Sequence, residues 1–389
     1  MDPTIELIKV RDSFRDETIE VIIPAPFSFG RDLLKFVPRI EVGDSSNLLV
    51  NLLVDGERYE ELQRLKDQLD NPEFEKARLR ANPFENIGRS IFIDRAGVKL
   101  ANIDAVLDIT GHKGGFLAKQ TIGRFSFCDV AGAPGAWTQY IQFRRPETTG
   151  YGISLKSGID WKRKEIDMDR FNITYGQDGT GDIYTNAIWF SKFVKEVEVN
   201  GVDFVGGDGG FSVEGQEREQ EYLMTRLILS EVLIGLLCLK IGGTLVVKVY
   251  DTVSKFMADL LFITANCFEN IWLFKPISSR PANSERYLVA KGLRGNIQEY
   301  TALLTEVYLK YQESDKMVTQ IVEELPDNFT SWLTNINMTM LNYQMDAIKN
   351  IIALMSGQSI QPQLYNVYKA LILWNLPDNI PPKSYSITR

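Results

Sequence analysis

The sequence predicts an α/β protein in which helices cover both faces of a mostly parallel sheet. From residue 87 to about residue 293, short apolar runs punctuated by glycine alternate with helical stretches, a pattern typical of buried parallel strands. One of these runs ends in a loop of small residues that leads straight into a helix. Among the 389 residues, 44% are hydrophobic and 24% are charged, the composition of a globular protein with a sizeable core.

Three regions are predicted along the chain. Residues 1–81 form an N-terminal extension that is partly helical, with one helix over 57–80, because opposite charges there fall at helical spacing and Pro83 breaks the pattern. Residues 82–293 form the α/β core. Residues 294–389 form a helical C-terminal region packed on that core.

Within these regions the apolar runs predict strands at 125–131, 149–155, 202–208, 243–250, 271–276 and 286–292. Helices in the core are predicted at 136–143, 217–240 and 253–267. Helical periodicity continues at 295–324, 329–356 and 367–374.

Composition excludes several classes of protein. Aromatic residues make up 11% of the chain, too many for a disordered protein, and no apolar window is long enough to predict a membrane span. The three cysteines suggest no disulfide framework and the first residues resemble no secretory signal, so we expect an intracellular protein. The single histidine, His112, is assigned to a surface loop; having only one disfavours His-ligated metal catalysis and Ser-His-Asp hydrolysis, and no metal is predicted.

The chain is acidic, with a net charge of −8 and a pI near 5.1. This balance argues against a generic nucleic-acid coat protein, which would be basic over a whole face. It is compatible with RNA bound in one local groove, because net charge does not decide what a single cleft holds. The basic runs at 144–145 and 162–164 either line the approach of such an RNA or belong to solvated loops.

The segment FCDVAGAPGAWTQYI (127–141) has the order of the first strand, loop and helix of a Rossmann-like sheet. Small residues let the backbone approach a ligand, and a helix N-terminus favours an anionic group. The loop lacks both the lysine of a phosphate-binding loop and the GxGxxG spacing of dinucleotide folds. An adenosine-containing ligand with a carboxylate, such as S-adenosylmethionine, is compatible with it, and a tight turn without a ligand is the alternative.

Four charged residues occupy unusual positions. Asp208 ends an apolar strand among glycines, and Lys248 lies inside the apolar run GTLVVKVY, where a lysine is costly unless paired. Glu285 precedes another apolar strand, and Lys99 belongs to a helix-like segment before the loop. A purely structural turn is the alternative for Asp208, and a solvent-facing edge strand is the alternative for Lys248.

The order of Lys99, the small-residue loop, Asp208, Lys248 and Glu285 resembles the Lys-Asp-Lys-Glu tetrad of FtsJ-like ribose 2′-O-methyltransferases. The segments NPFENIGRSIFIDRAGVKLANID, GGDGGFSVEGQE and FKPISSRPANSERYLVAKGL are similar to those of the cap-specific mRNA methyltransferases that make cap 1 in eukaryotes and some viruses. ALILWNLPD near the end of the chain is similar as well. The resemblance covers about residues 82–380 and implies a Rossmann-like methyltransferase sheet.

The resemblance implies methyl transfer from S-adenosylmethionine to the ribose 2′-hydroxyl of the first transcribed nucleotide of capped mRNA, converting cap 0 to cap 1. Lys248 would be the general base, with a pKa lowered toward about 7–8 by burial and by the nearby Lys99 cation. Lys99 would also orient the hydroxyl. Asp208 and Glu285 would hold the two lysines in register.

The resemblance also assigns the ligand contacts. Residues implied to bind the cofactor are Asp129, Ala131, Gly132, Ala133, Pro134, Gly135, Ala136, Trp137, Asp182 and Ile183. Residues implied to bind the capped strand are Asp94, Arg95, Ala96, Gly97, Val98, Arg218, Glu219, Gln220 and Asn283, with Arg95 as the phosphate contact. Two departures stand out: Ala136 replaces a second glycine, and the second strand ends in SLK without an acidic residue, which leaves Asp160 as the substitute.

The expected partner is the 5′ end of capped mRNA, with other capping or transcription proteins left open and no membrane. Within the cell, nucleus, cytoplasm and a viral factory or virion are alternatives. For function, the alternatives are a 2′-O-methyltransferase on another RNA or on the second cap nucleotide, and a catalytically silent cap-binding subunit. A Rossmann-fold protein for another adenosine ligand would leave Lys248 and SRPANSERY unexplained.

Overall fold

A computed structural model of the protein describes residues 5–11, 18–30, 36–43, 53–111, 123–213, 215–313, 317–358 and 367–377. Its strands, numbered along the chain, are β1 Ile5–Arg11, β2 Thr18–Pro24, β3 Pro38–Gly43, β4 Phe125–Val130, β5 Thr148–Ile153, β6 Phe171–Thr174, β7 Val202–Gly207, β8 Leu239–Tyr250, β9 Phe268–Phe274, β10 Glu285–Leu293 and β11 Met317–Val322. Its helices are α1 Gly56–Asp67, α2 Phe74–Ala81, α3 Arg95–Leu107, α4 Ala136–Arg144, α5 Ile183–Val197, α6 Gln220–Cys238, α7 Lys255–Cys267, α8 Gln298–Glu313, α9 Asp327–Met355 and α10 Val367–Leu373.

The centre of the molecule is a seven-stranded sheet in the order β6-β5-β4-β7-β8-β10-β9. Neighbouring strands from β6 to β8 are parallel, and β10 runs antiparallel between β8 and β9. The predicted mostly parallel sheet is therefore confirmed. Because β8 has a neighbour on each side and Lys248 is buried, the alternative of a solvent-facing edge strand is wrong.

Helices cover both faces of this sheet, as predicted. On one face, α5, α6 and α7 pack on fully buried side chains such as Val205 and Val247. On the other face, α3, α4 and α10 enclose Phe127 and Val246. Apolar contacts on both faces explain why these strands read as continuous apolar runs rather than as alternating ones.

Two helix predictions outside the core are wrong in part. The helix expected over 57–80 is two helices, α1 and α2, separated by a turn. The helix expected over 295–324 ends with α8 at Glu313, and Met317–Val322 forms β11, which pairs antiparallel with β3. The sequence MVTQIV is rich in β-branched residues, and a strand partner is available from the N-terminal extension. That extension therefore contains strands as well as helices.

The N-terminal extension packs against the long helix α9. Tyr59 and Leu62 of α1 share an apolar cluster with Leu341, Met345 and Ile348 of α9. Helix α2 contacts the next turns of α9 through a smaller cluster. Helices α1 and α2 of the N-terminal extension and α9 of the C-terminal region thus share two apolar clusters.

The basic pair 144–145 neither lines an approach for RNA nor belongs to a solvated loop. Both arginines are buried, and Arg144 donates hydrogen bonds to the backbone carbonyls of Trp374 and Asn375. These bonds tie α4 to the segment that follows α10. The other basic run, 162–164, is exposed.

Among the helices of the described residues, none combines the length and apolar character needed to cross a bilayer. His112, assigned to a surface loop, lies outside the described residues.

Candidate active site

The four charged residues singled out in the sequence come together at one edge of the sheet. Asp208 directly follows β7, and Lys248 lies near the end of β8. Glu285 begins β10, which is antiparallel to β8, so it meets the carboxyl end of β8. Helix α3 adds Lys99. Ligands of open α/β sheets bind at this edge, outside the carboxyl ends of the strands.

Lys99 and Glu285 form one of two ion pairs. Lys99 Nζ lies 2.7 Å from Glu285 Oε1, which also accepts a hydrogen bond from Ser279 Oγ at 2.7 Å. The two side chains are only 16% and 10% exposed. Burial raises the pKa of Glu285, but Lys99 and Lys248 lower it by more, so the pKa is about 2. This carboxyl group is therefore ionised at neutral pH.

Asp208 and Lys248 form the second pair. Lys248 Nζ lies 3.2 Å from Asp208 Oδ1 and donates to the backbone carbonyl of Asp208 at 2.8 Å. Tyr287 lies opposite Lys248 on β10 and donates from its hydroxyl group to Asp208 Oδ1 at 2.9 Å. The lysine is therefore held by both the side chain and the main chain of one residue.

The expectation that the pKa of Lys248 is lowered is wrong for this arrangement. Burial lowers this pKa, but Asp208 and three further groups raise it above the ordinary value of a lysine, namely Tyr250, Glu285 and Glu231. Lys99 was expected to act as the opposing cation, and its ammonium group is instead paired with Glu285. Acidic groups thus dominate the surroundings of Lys248.

The loop after β4 presents a surface of small residues next to these pairs. Ala131 has a φ of 50° and Gly135 has a φ of 102°, so the chain turns sharply at both ends of the loop. Gly135 N donates to Gly132 O at 2.8 Å, and Ala131 N donates to Ile153 O on β5 at 2.8 Å. Residues 131–134 are half-buried and offer their backbone to a ligand.

Asp129 lies beneath this loop, with only 1% of its surface exposed. Its Oδ2 atom accepts hydrogen bonds from the backbone and hydroxyl groups of Thr138 at 3.1 and 2.6 Å, and burial raises its pKa to about 7. A Cβ atom on Gly132 would stand 1.9 Å from Asp129 Oδ1, which explains the glycine. That oxygen has no hydrogen-bond partner among the described residues, so one buried acceptor is left for a ligand donor.

Trp137 ties the loop helix to the helix that carries Lys99. Its Nε1 donates to Ala96 O at 2.9 Å, its ring packs on Tyr287, and its side chain is 2% exposed. Ala136 is equally buried. Trp137 therefore joins α3 to α4, and the contact of both residues with the cofactor stays a prediction.

Asp182 and Ile183, assigned to the adenine, follow Gly181, which lies close to the end of β5. Ser154, at the end of β5, links the two regions: its Oγ accepts from Ala133 N at 3.4 Å, and Gly181 packs against its carbonyl. Asp182 caps the start of α5 and is half-buried. Ile183 belongs to the core, with 4% exposed. Asp160, the substitute for a second-strand acid, is exposed.

The residues before Lys99 differ in what they can offer to RNA. Asp94 caps α3 by accepting from Ala96 N at 2.7 Å, and both residues are half-buried. Gly97 and Val98 are buried, and their contact with the capped strand stays a prediction.

Arg95, the expected phosphate contact, is engaged in an internal network. Its guanidinium pairs with Glu85 and donates to Ser278 O at 3.0 Å. Glu85 also accepts from Arg280 Nε at 2.8 Å. Two arginines therefore share one carboxylate, and a phosphate could compete with Glu85 for either of them.

The remaining expected RNA contacts lie around the start of α6. Arg218 and Glu219 are exposed, and Arg218 pairs with Asp67 of α1. Gln220 accepts from Ser284 Oγ at 3.2 Å. The structure thus brings Gln220 next to the segment that contains Asn283.

A groove of about 920 Å³ opens between α2, α9 and the segment before β10, where Asn283 lines it. Its lining combines aromatic side chains and the Asn283 amide with equal numbers of cationic and acidic side chains: Phe74, Phe84, Tyr343, Arg78, Arg80, Arg280, Glu75, Glu217 and Asp346. Aromatic rings flanked by arginine and amide groups suit a base that stacks while its charged substituents are paired.

Lys275 was not singled out in the sequence. Its Nζ atom donates to Asn283 Oδ1 at 2.9 Å, to Asn283 O at 2.7 Å and to Glu285 O at 2.7 Å. Burial lowers its pKa to about 7. By holding 283–285 at both ends, Lys275 connects the groove to the Lys99–Glu285 pair. The available signal was a lysine at the end of an apolar strand, as for Lys248.

Glu231 was missed as well. It lies in the middle of α6, is 1% exposed, and accepts from Gly209 N at 3.0 Å. A single carboxylate in the apolar run LILSEVLIGLLC was the signal that could have found it.

Comparison with known proteins places these features in context. The family model for FtsJ-like methyltransferases matches residues 92–293. Cap-specific mRNA (nucleoside-2′-O-)-methyltransferase 1 of Mus musculus is 36% identical over 339 residues, which are 80% of this chain and 40% of that protein. The proteins of the same name from Homo sapiens and Drosophila melanogaster are 35% and 31% identical, over 80% and 81% of this chain. This chain covers 40% and 43% of their lengths, so it spans less than half of each relative.

Proposed function

This chain belongs to the FtsJ-like methyltransferase family, and from that premise we propose that it methylates the ribose 2′-hydroxyl of the first transcribed nucleotide of capped mRNA. The observation that carries the proposal is that two largely buried lysine–carboxylate pairs meet at the sheet edge beside the small-residue loop. The similarity to cap-specific methyltransferases supports the choice of capped mRNA as substrate.

The cofactor would be S-adenosylmethionine. The backbone of 131–135 would hold its methionine part, with Asp129 Oδ1 as an unpaired acceptor, and Asp182 would hold the adenine side. When bound, S-adenosylmethionine supplies an electrophilic methyl group on a cationic sulfur and leaves as a neutral thioether.

Lys248, in its neutral amine form, would accept the proton that the 2′-hydroxyl gives up as its oxygen gains the methyl group. Because its acidic neighbours favour the ammonium, this neutral form is a minority at neutral pH and grows as the pH rises. A ribose hydroxyl is a poor nucleophile at neutral pH, and general-base assistance is worth about 10²–10⁴ in rate. Asp208 fixes the position of Lys248 Nζ through its Oδ1 and carbonyl atoms. Lys99, held by Glu285, would donate a hydrogen bond that orients the hydroxyl.

The capped end of the RNA would lie in the groove next to Glu285. Asn283 lines the groove and lies two residues before Glu285, so a base stacked there would lie near a ribose placed over the lysines. Arg280 and Arg78 supply positive charge for the phosphates of the cap. An overall acidic chain could thus bind RNA through a few arginines placed in one groove.

The test is transfer of labelled methyl from S-adenosylmethionine to short RNAs, capped and uncapped, followed by nuclease mapping of the label. Wild type is compared with Lys248→Ala and with Lys240→Ala, which removes an exposed lysine paired with Asp203 at the opposite end of β8. We expect label on the first cap-proximal ribose, a loss of at least about 10²-fold with Lys248→Ala, and little change with Lys240→Ala.

Other outcomes separate the alternatives. Equal transfer to uncapped RNA would overturn the cap assignment, and label on the second nucleotide would move the target site. Cofactor binding without transfer to any RNA would indicate a catalytically silent subunit.

A further inference from the structure

Glu231 is the only buried carboxylate of the described part of α6 that reaches the Asp208–Lys248 pair. Its side chain is 1% exposed, and its Oε1 atom accepts from Gly209 N at 3.0 Å. Its Oε2 atom has no hydrogen-bond partner within the described ranges. A buried carboxyl group with one oxygen unpaired is costly to keep, so its place beside reacting groups needs an explanation.

The peptide group between Asp208 and Gly209 links Glu231 to Lys248. Its N–H group, on Gly209, donates to Glu231, and its carbonyl group, on Asp208, accepts from Lys248 Nζ at 2.8 Å. A single rigid plane is therefore held from both sides. Hydrogen bonds in such a chain polarise one another, because a carboxylate on the N–H side makes the carbonyl a better acceptor.

Two glycines make room for the Glu231 carboxyl group. A Cβ atom on Gly207 would stand 2.6 Å from Glu231 Cδ, and one on Gly209 would stand 2.5 Å from Oε1. The same atom on Gly209 would stand 2.9 Å from Ala131 Cβ in the small-residue loop. The glutamate thus fills a space at the junction of the loop, Asp208 and Lys248.

We propose that Glu231 is a positioning residue of the active site, which holds the Asp208–Gly209 peptide in register and regulates the proton affinity of Lys248 through it. This inference rests on the proposed methyl transfer and adds a residue outside the Lys-Asp-Lys-Glu set. When Glu231 is ionised, it stabilises the protonated ammonium of Lys248. When it is neutral, Lys248 releases its proton more readily.

The charges around Glu231 are consistent with a change of state near neutral pH. Burial raises its pKa to about 8, Lys248 lowers that pKa, and Asp208 and Asp129 raise it. At pH 7 the group is therefore mostly neutral, and it ionises as the pH rises through about 8. Ionisation of Glu231 would raise the proton affinity of Lys248. It would do so in the pH range in which the neutral amine of Lys248 would otherwise become more abundant.

The experiment compares wild type with Glu231→Gln and Glu231→Ala. Gln keeps an acceptor for Gly209 N–H but cannot ionise, so we expect near-normal cofactor affinity and a rising limb of log kcat against pH that is displaced to lower pH by about half a unit. Ala removes the acceptor, so we expect kcat to fall by about 10- to 100-fold with KM for RNA changed by less than about threefold.

A second readout needs neither cofactor nor activity. Labelling of the Lys248 amine by a small acylating reagent, followed as a function of pH by mass spectrometry, reports its proton affinity directly. We expect half-maximal labelling at lower pH in Glu231→Gln than in wild type. Glu198→Gln is the control, because Glu198 is also buried but lies at the end of α5, where it pairs with Tyr151 and Arg124.

A crowding variant covers the case in which the Glu231 variants fold poorly. Gly207→Ala should push the carboxyl group aside and lower kcat, and in a Glu231→Ala background the same change should cost much less. The inference would be overturned if the Glu231 variants had the pH profile and labelling curve of wild type and if the effects of Gly207→Ala and Glu231→Ala were additive. Transfer by wild type would still support the proposed function in that case. Absence of wild-type transfer to any RNA would overturn the proposed function, and the labelling comparison would still judge Glu231.

Discussion

At the scale of single residues, close contact beneath the loop determines which side chains the site tolerates. Asp129 lies against Gly132 so tightly that even a methyl group has no space there. The carboxyl group in turn caps the start of α4 through Thr138. The shape of the ligand loop is therefore fixed from below, by residues that hardly reach its surface.

Gly132→Ala should disrupt this contact. Because its Cβ atom would stand 1.9 Å from Asp129 Oδ1, we expect the loop to shift, cofactor affinity to fall at least about tenfold and unfolding free energy to drop by about 1–3 kcal/mol. Calorimetry and urea denaturation measure the two effects. Gly158→Ala is the control, since its Cβ would meet no atom within 4 Å. Equal behaviour of the two variants would contradict the packing argument.

Glu221, on the same helix as Glu231, should make stability depend on pH. It accepts from Val253 N and Ser254 N at 2.9 Å, and burial raises its pKa from 4.5 to about 7. A carboxyl group whose pKa is higher in the folded state stabilises most below pH 4.5, and this contribution is lost as the pH rises through 7.

We therefore expect wild type to lose stability relative to Glu221→Gln as the pH rises from about 5 to about 7, on top of a constant cost from the lost acceptor. Urea denaturation at several pH values measures the difference. Glu196→Gln, which removes an exposed carboxylate from α5, is the control. A parallel pair of curves for Glu221→Gln and wild type would show that this carboxyl group does not titrate in that range.

At the scale of elements, the sequence predicted the strands that are apolar throughout and the helices between them. Strand β6 was missed because it has only 4 residues and a half-exposed pattern, and α5 was missed although its cap, Asp182, had been noted. Strand β11 was taken for helix because its partner, β3, lies about 280 residues earlier in the chain. Pairing at that distance leaves no local signal.

The candidate site was likewise predictable only in part from the sequence. A lysine in an apolar strand marked Lys248, and family resemblance placed its three partners. Glu231 and Lys275 show the same anomaly, yet their importance depends on which peptide groups they meet across the fold. Trp137 and Val98 belong to motifs noted in the sequence, yet both are buried. A motif does not tell which of its side chains point inward.

The wall that α9 gives to the groove can be tested by filling the space. Ala347 lines the groove, so Ala347→Trp should raise KM for capped RNA by about tenfold or more, while cofactor affinity stays the same. Ala353→Trp is the matched control, because Ala353 is also half-buried on α9 but outside the groove lining. Steady-state kinetics with capped and uncapped RNA distinguish the two. An unchanged KM in Ala347→Trp would remove the cap from this groove.

At the scale of the whole molecule, the chain has a net charge of −8, while the groove lining holds three arginines, Arg78, Arg80 and Arg280, balanced by three carboxylates. Such a distribution discourages non-specific binding of RNA while permitting attraction at one place. Specificity for an RNA end would then come from the location of the positive charge rather than from its total.

Salt dependence measures how many phosphates are paired. We expect Arg280→Gln to reduce the slope of log affinity against log salt by about 0.7, the value for one phosphate contact of a single strand. Lys310→Gln is the control, since Lys310 has similar exposure (41% against 43%) and also pairs with one glutamate, on α8. Fluorescence anisotropy of capped RNA across a salt series gives both slopes. Identical slopes for the two variants would mean that Arg280 meets no phosphate.

The packing of α1 and α2 against α9 also has a consequence in time. Helix α2 begins at Phe74 and α9 ends at Met355, so the ribosome must add about 280 residues before the groove has both walls. At roughly 5–20 residues per second this takes about 15–60 s, long after the strands around Asp129 have emerged. A growing chain could therefore assemble its cofactor loop well before it could recognise an RNA end. During that interval the apolar side of α1 would lack its packing partner, α9.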